Sequence, residues 1–265
     1  MEFDRIHDYL VSHGMKINND KTQLMYINPS VQQKANPIHL QGSMILHQDQ
    51  IRILGFTVSS DLKFDSHIRT GSNNMLKSLN SKSSMIRTLK NSIPMKALSL
   101  VANNLVNSTI NYGSAIWAPT TKVNKEAIQK SQIRAAKLAL DIGWFRGKRI
   151  HRQEALDKLD WPNVEQIAQM ALLNLVKKAI SGQSSEALKN TFKISVPRHP
   201  RGISAISLNH KGPVNRKTTN FSAYAVLKFN QLPPELRDPK MTCEGFKSAL
   251  KSYIKSTLRL TKHEN

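Results

Sequence analysis

The sequence predicts an α+β chain that is mostly α, with a small β-containing part followed by basic helices. Three observations predict it. Short apolar runs that read as strands are confined to about the first 65 residues. After residue 70, apolar side chains recur at helical spacing. Pro and Gly punctuate this later region where helices begin and end.

At the N-terminal end, Phe3, Ile6, Tyr9 and Leu10 fall on one helical face, and Gly14 stands where a C-terminal cap belongs. Gln23–Ile27 reads as a strand, Ile38–Gly42 with Met44–Leu46 as a hairpin, and Ile51–Val58 as one strand carrying Gly55. Asp65 is placed to cap a following helix. Leu76, Leu79, Ile86 and Leu89 mark the next helix. Pro94 opens another, striped by Leu98, Val101, Leu105 and Ile110. Thr109–Pro119 reads as an aromatic-anchored junction, and a third helix covers about Val123–Ile142. Trp161-Pro162 opens a helix with a wide apolar arc. Residues 181–220, rich in Ser, Asn, Gly, Pro and basic side chains, read as an extended or mobile linker. The last helix carries Phe246, Leu250, Ile254 and Leu258 on one side and Lys247, Lys251 and Lys255 on the other. The expected divisions are 1–69, 70–142 and 143–265.

Composition narrows the function classes. With 39% apolar residues among 265, the chain is poor for one compact core but sufficient for helical units. The single Cys243 excludes a disulfide framework and cysteine-based zinc modules, and the nine histidines lack metal-ligand spacing. No apolar run approaches the ~18–20 residues of a membrane span. The start, MEFDRIHDYL, has no apolar core and does not read as a signal peptide. The expected location is therefore the nucleus or cytoplasm, without membrane or secretion.

Charge is the strongest bulk signal. Lys and Arg outnumber Asp and Glu by 39 to 18, a net charge of +21. Residues 1–70 hold 7 basic and 7 acidic side chains; residues 71–265 hold 32 and 11. A region that basic repels itself unless a polyanion lies nearby, so RNA or DNA is the expected partner. A merely charged surface is the bland reading, and an anionic membrane is disfavoured because the basic helices lack Trp/Phe-rich faces.

Within the basic region, Lys130, Arg134 and Lys137 form a stripe on the third helix, and Lys77, Lys82 and Arg87 recur on the first. Both sets suit phosphate contact and equally suit a solvated face. GWFRGKRIHR sets Arg146, Lys148 and Arg149 beside Trp144 and Phe145, a mixture that fits phosphate contact with base stacking or a loop anchored on a core. Catalytic signatures are absent: there is no Gly-rich phosphate loop and no GxSxG. Two-metal chemistry needs converging carboxylates. The close pairs, Asp61 with Asp65 and Asp157 with Asp160, read better as a cap and a solvated face. No catalytic residue, metal or cofactor is expected in this chain.

HGMKINNDKTQLMYI, IRILGFTVSSDLKFDSHI, INYGSAIWAP and IQKSQIRAAKLAL, taken in that order, together resemble the C-terminal portion of reverse transcriptases from non-LTR, LINE-like, jockey-type retrotransposons. HGMKINNDKTQLMYI is similar to the family's fourth block, and IRILGFTVSSDLKFDSHI to the fifth with its Leu-Gly turn. INYGSAIWAP and IQKSQIRAAKLAL resemble the thumb. EALDKLDWPNVEQ, NFSAYAVLKFNQLPPELR and FKSALKSYI resemble the region after it. The likeness runs over about residues 9–255. Each motif is soft, and their order and intervals carry the specificity.

The resemblance implies that residues 1–69 are the end of a palm, 70–142 a thumb and 143–265 a post-thumb region. It implies that Lys21 is a general acid toward the leaving pyrophosphate in the parent enzyme, with an exposed turn as the plain alternative. It also implies that Leu54, Gly55 and Phe56 form a primer grip, with an edge strand as the alternative. The helices would lie along a template–primer duplex or hybrid. The family's catalytic aspartates, which bind Mg2+ in the parent enzyme, lie in earlier blocks that include a Tyr-x-Asp-Asp hairpin, and no such sequence occurs here. The chain is therefore expected to be a fragment of an RNA-directed DNA polymerase that does not polymerise alone. The alternatives are a stand-alone RNA/DNA-binding protein derived from such an element, or a protein-interaction module acting through its last helix.

Overall fold

The computed structural model describes residues 2–40, 43–141, 152–195, 204–209 and 221–260. It is mostly helical with three two-stranded antiparallel sheets among the described residues, the α+β, mainly α class read from the sequence. The chain divides into two compact units, Met1–Gly71 and Ser72–Asn265.

In the first unit, helix α1 (Glu2–Ser12) ends in a left-handed Gly14 with φ +70°. The Met15 amide reaches the Leu10 carbonyl (2.9 Å) and the Gly14 amide that of Val11 (3.0 Å), the paired bonds of a glycine-capped terminus. A one-turn 3-10 helix (Asn19–Lys21) and α2 (Val31–Ala35) follow, the latter opened by a Ser30–Gln33 capping box. Strands β1 (Ile38–Leu40) and β2 (Ser43–Ile45) pair with Ile38 opposite Ile45; their turn lies outside the described residues. Strands β3 (Gln50–Ile53) and β4 (Phe56–Ser59) form a hairpin with Ile53 opposite Phe56.

Three expectations fail in this unit. Ile51–Val58 is not one strand. Leu54 (φ 48°) and Gly55 (φ 83°) both take positive φ, which reverses the chain as a two-residue hairpin turn. Gln23–Ile27 is not a strand either: Leu24 makes a single parallel bridge to His47, and among the described residues no neighbouring strand extends the ladder. Asp65 is no cap, because its own backbone is already helical and its side chain makes no capping bond to the short π-turn Ser66–Thr70. Burial in the first unit is thin. Phe56, His67 and Ile68 are buried, with the Phe56 and His67 rings stacked at 4.3 Å, while Ile6, Tyr9, Val31, Met44 and Leu54 stay exposed.

The second unit holds the larger core. Helices α3 (Met75–Leu89), α4 (Met95–Asn111) and α6 (Lys122–Ala139) pack on one another through Leu79, Ile86, Leu98, Val106, Ile110, Ile128 and Ala135. The short α5 (Ser114–Trp117) buries Trp117 completely at the junction expected there and packs on α8 (Val164–Ile180). Helix α7 (Arg152–Lys158) buries Ala155 and Leu156 and packs beside α6. Polar cross-links run through the same core. The Gln132 amide donates to Asn107 Oδ1 of α4 and to the Pro162 carbonyl, both at 2.8 Å, which joins α6 to α4 and to the entry of α8.

Residues 181–220, expected as a linker, hold structure in their described part. Helix α9 (Glu186–Lys189) leads to strands β5 (Phe192–Ser195) and β6 (Ala205–Leu208), paired with Ile194 opposite Ile206. Phe192 and Ile206 are buried. Helix α10 (Phe221–Asn230) clamps β6: the Asn230 side chain donates to the Ile206 carbonyl and accepts from its amide, both at 2.9 Å. The last helix, α11 (Cys243–Leu260), lays Phe246, Leu250 and Ile254 into the core against α8.

Candidate nucleic-acid interface

The basic side chains expected to meet phosphate are distributed unevenly. Lys130 and Arg134 are one turn apart on α6, and both are exposed. Arg134 also donates to Asn80 Oδ1 of α3 at 3.2 Å, which orients its guanidinium across the α3–α6 seam. Lys137, the third member of the stripe, is half-buried.

On α3 the spacing works against a stripe. Lys77, Lys82 and Arg87 are five residues apart, so each is rotated about 140° from the previous one. Lys77 is exposed and donates to the Ser72 carbonyl at 3.0 Å. Arg87 is exposed. Lys82 turns inward, donating to the Thr109 hydroxyl of α4, and burial lowers its pKa. Arg146, Lys148 and Arg149 lie outside the described residues.

The first-unit candidates differ in exposure. Lys21 is exposed at the end of the 3-10 turn, where its backbone amide meets Asn18 Oδ1 at 3.2 Å. Leu54 and Gly55 are exposed at the tip of the β3–β4 hairpin, whereas Phe56 points inward onto His67. Burial, then the nearby Arg52 charge, lowers the His67 pKa and keeps this packed ring neutral.

The paired carboxylates are engaged locally. Asp61 accepts from the Ser59 hydroxyl (2.8 Å) and the Lys63 amide (3.0 Å), while Asp65 lies 3.9 Å from Arg69. Asp160 faces Lys255, with both carboxylate oxygens 2.9 Å from the ammonium. Among the described residues, no three His, Cys, Asp or Glu side chains converge in a way that would hold a metal ion. No described helix is long and apolar enough to cross a membrane.

One polar cluster escaped the sequence reading. Lys125 of α6 donates to Glu165 of α8 at 2.8 Å and to the Tyr224 hydroxyl of α10 at 3.1 Å. Tyr224 in turn donates to Glu165 at 3.3 Å, and the Lys228 ammonium sits 5.5 Å from the centre of its ring. Burial, reinforced by the Glu165 charge, raises the Tyr224 pKa, so the phenol stays protonated. Burial disfavours charge on Glu165, but Lys125, helped by Gln169 and Lys228, outweighs it and holds the carboxyl below its ordinary range. Lys125 and Tyr224 lie 99 residues apart, so no local spacing announces them.

Over 144 residues the chain is 27% identical to a probable RNA-directed DNA polymerase from transposon BS of Drosophila melanogaster. The match covers 52% of this chain and 15% of that protein, so the chain corresponds to a small part of its relative's length. No family model matches the chain, and no solved structure gives a significant match. The likeness relates the chain, at a distance, to the polymerase of a transposon.

Proposed function

We propose that this chain is the palm-end, thumb and post-thumb segment of a non-LTR retrotransposon RNA-directed DNA polymerase, and that it holds a template–primer hybrid without catalysing polymerisation. The observation that carries this reading is the charge split. The whole cationic excess lies after residue 70, and within it Lys130 and Arg134 stand exposed together on α6. Two adjacent cations on a rigid helix suit the phosphates of a duplex, a contact that positions without reading sequence. The thin first-unit core supports the same reading: a palm end covers its apolar side chains only against the rest of a palm. The distant likeness to a transposon polymerase points the same way.

In this reading Lys77, Arg87 and Lys137 flank the hybrid, and Leu54-Gly55 is a primer contact of the first unit. Lys21 has work only in a parent enzyme that supplies metal-binding aspartates. The test is binding of an RNA–DNA hybrid at about 50 and about 200 mM salt. Affinity should fall steeply with salt, and Lys130→Ala with Arg134→Ala should flatten the log–log slope by about 1.8. Salt-independent binding, no binding at low salt, or a slope unmoved by the double variant would refute it.

A further inference from the structure

We propose that the second unit carries a separate site for an unpaired nucleotide of a single strand, in the cleft between α8 and α11. The cleft holds about 670 Å3. That is within the range of small-ligand sites, which are mostly apolar with a few converging polar groups. Its floor is apolar, built from Ile167, Met170 and Ala171 of α8 with Ile254 of α11. The amides of Asn111 and Asn174 reach it from α4 and α8, and neither is hydrogen-bonded to another described residue. Each presents a donor and an acceptor, the pattern that pairs with the edge of a base.

The rim separates charge by position. At one end Lys255 is tied to Asp160. Toward the N-terminal end of α11, Lys251 and then Lys247 are exposed, with no ion-pair partner among the described residues. Lys247 lies about 12 Å along the helix axis from Lys255. A ligand is therefore met by positive charge at one end, an apolar floor in the middle and free amides beside it. That order fits a phosphate joined through a sugar to a base. A lone inorganic anion would not use the floor. The cations of this cleft are distinct from those on α6, so the site stands or falls independently of hybrid binding.

The test compares a short labelled single-stranded oligonucleotide with a blunt RNA–DNA hybrid, each titrated by fluorescence anisotropy. Lys247→Ala with Lys251→Ala changes two exposed side chains and should leave the thermal midpoint unchanged. For the single strand, two lost phosphate contacts should flatten the log–log salt slope by about 1.4. The wild type should then lose about sevenfold more affinity than the variant between about 50 and about 200 mM salt. Asn174→Leu should weaken single-strand binding at every salt concentration without moving the slope. Hybrid binding should be unaffected by either change, and Lys130→Ala with Arg134→Ala should leave the single strand bound. The proposal is overturned if the lysine pair affects hybrid and single strand alike, if neither cleft variant weakens the single strand, or if poly-glutamate binds the cleft as tightly as the oligonucleotide.

Discussion

Lys125 holds Glu165 at 2.8 Å, and in doing so ties α6 to α8 from positions 40 residues apart. Tyr224 closes the triangle from α10. Three helices that share no local sequence signal are thus joined at one charged point.

This contact makes stability depend on pH in a defined direction. The Glu165 pKa is lower in the folded chain than its ordinary value of 4.5. Its contribution is complete above that value and is lost as pH falls through the lowered one. Glu165 keeps part of its side chain in solvent, so Glu165→Gln should cost only about 0.5–1 kcal/mol at neutral pH. The difference between variant and wild type should vanish in acid, and denaturant unfolding at several pH values measures it. A gap that widens as pH falls would contradict the assignment.

Lys177 poses the opposite problem. It is 1% exposed on α8, donates to the Asp238 carbonyl at 3.0 Å and lies 5.8 Å from the Phe246 ring centre. Burial lowers its pKa, only partly offset by Cys243 and Asp238. Lys177→Met keeps the volume and removes a buried charge, so it should stay within about 1 kcal/mol of wild type. Lys177→Ala opens a cavity and should cost about 2–4 kcal/mol. As pH rises toward 10.5, the folded wild type discharges before the unfolded chain does, so it should gain stability relative to Lys177→Met.

The two faces of α11 should behave differently. Phe246 is fully buried, its ring 6.4 Å from that of Phe229. Phe246→Ala should cost about 3–5 kcal/mol, read by denaturant unfolding. Lys247→Ala on the outer face should change stability by less than about 0.5 kcal/mol. A protein-interaction role through Phe246 and Leu250 is therefore disfavoured, because the core already occupies both.

The β3–β4 turn carries a removable strain. Leu54 has φ 48°, a conformation that Asn tolerates better than Leu. Leu54→Asn should stabilise the hairpin by about 1 kcal/mol, slowing amide exchange in β3 and β4 about fivefold. Gly55→Ala at φ 83° should do the reverse. Unchanged exchange in both variants would mean that the turn does not limit hairpin opening.

The helical architecture was legible from local pattern. Leu79 and Ile86, Leu98 and Ile110, Phe246 and Leu250 recur at helical spacing, and each is buried where that spacing points. Gly14 and Pro94 marked helix ends because their backbone preferences are intrinsic to the residue. Among the β segments, the hairpin read at Ile38–Gly42 with Met44–Leu46 formed as β1 and β2, while the other apolar runs did not show how they would pair. Ile51–Val58 became two strands because Leu54 and Gly55 turned, and Gln23–Ile27 formed no ladder for lack of a partner strand.

Within the sequence lay the class of fold, the helix faces and the concentration of positive charge after residue 70, all properties of residue type and spacing along the chain. Tertiary structure decided which cations remain available. It turned Lys82 onto Thr109, tied Lys255 to Asp160, and left Lys130, Lys247 and Lys251 exposed. It also assembled the Lys125–Glu165–Tyr224 triangle and the α8–α11 cleft. A side chain's charge is a property of its own chemistry. Its availability to a ligand depends on whichever helix packs beside it, and spacing along one helix does not reveal that neighbour.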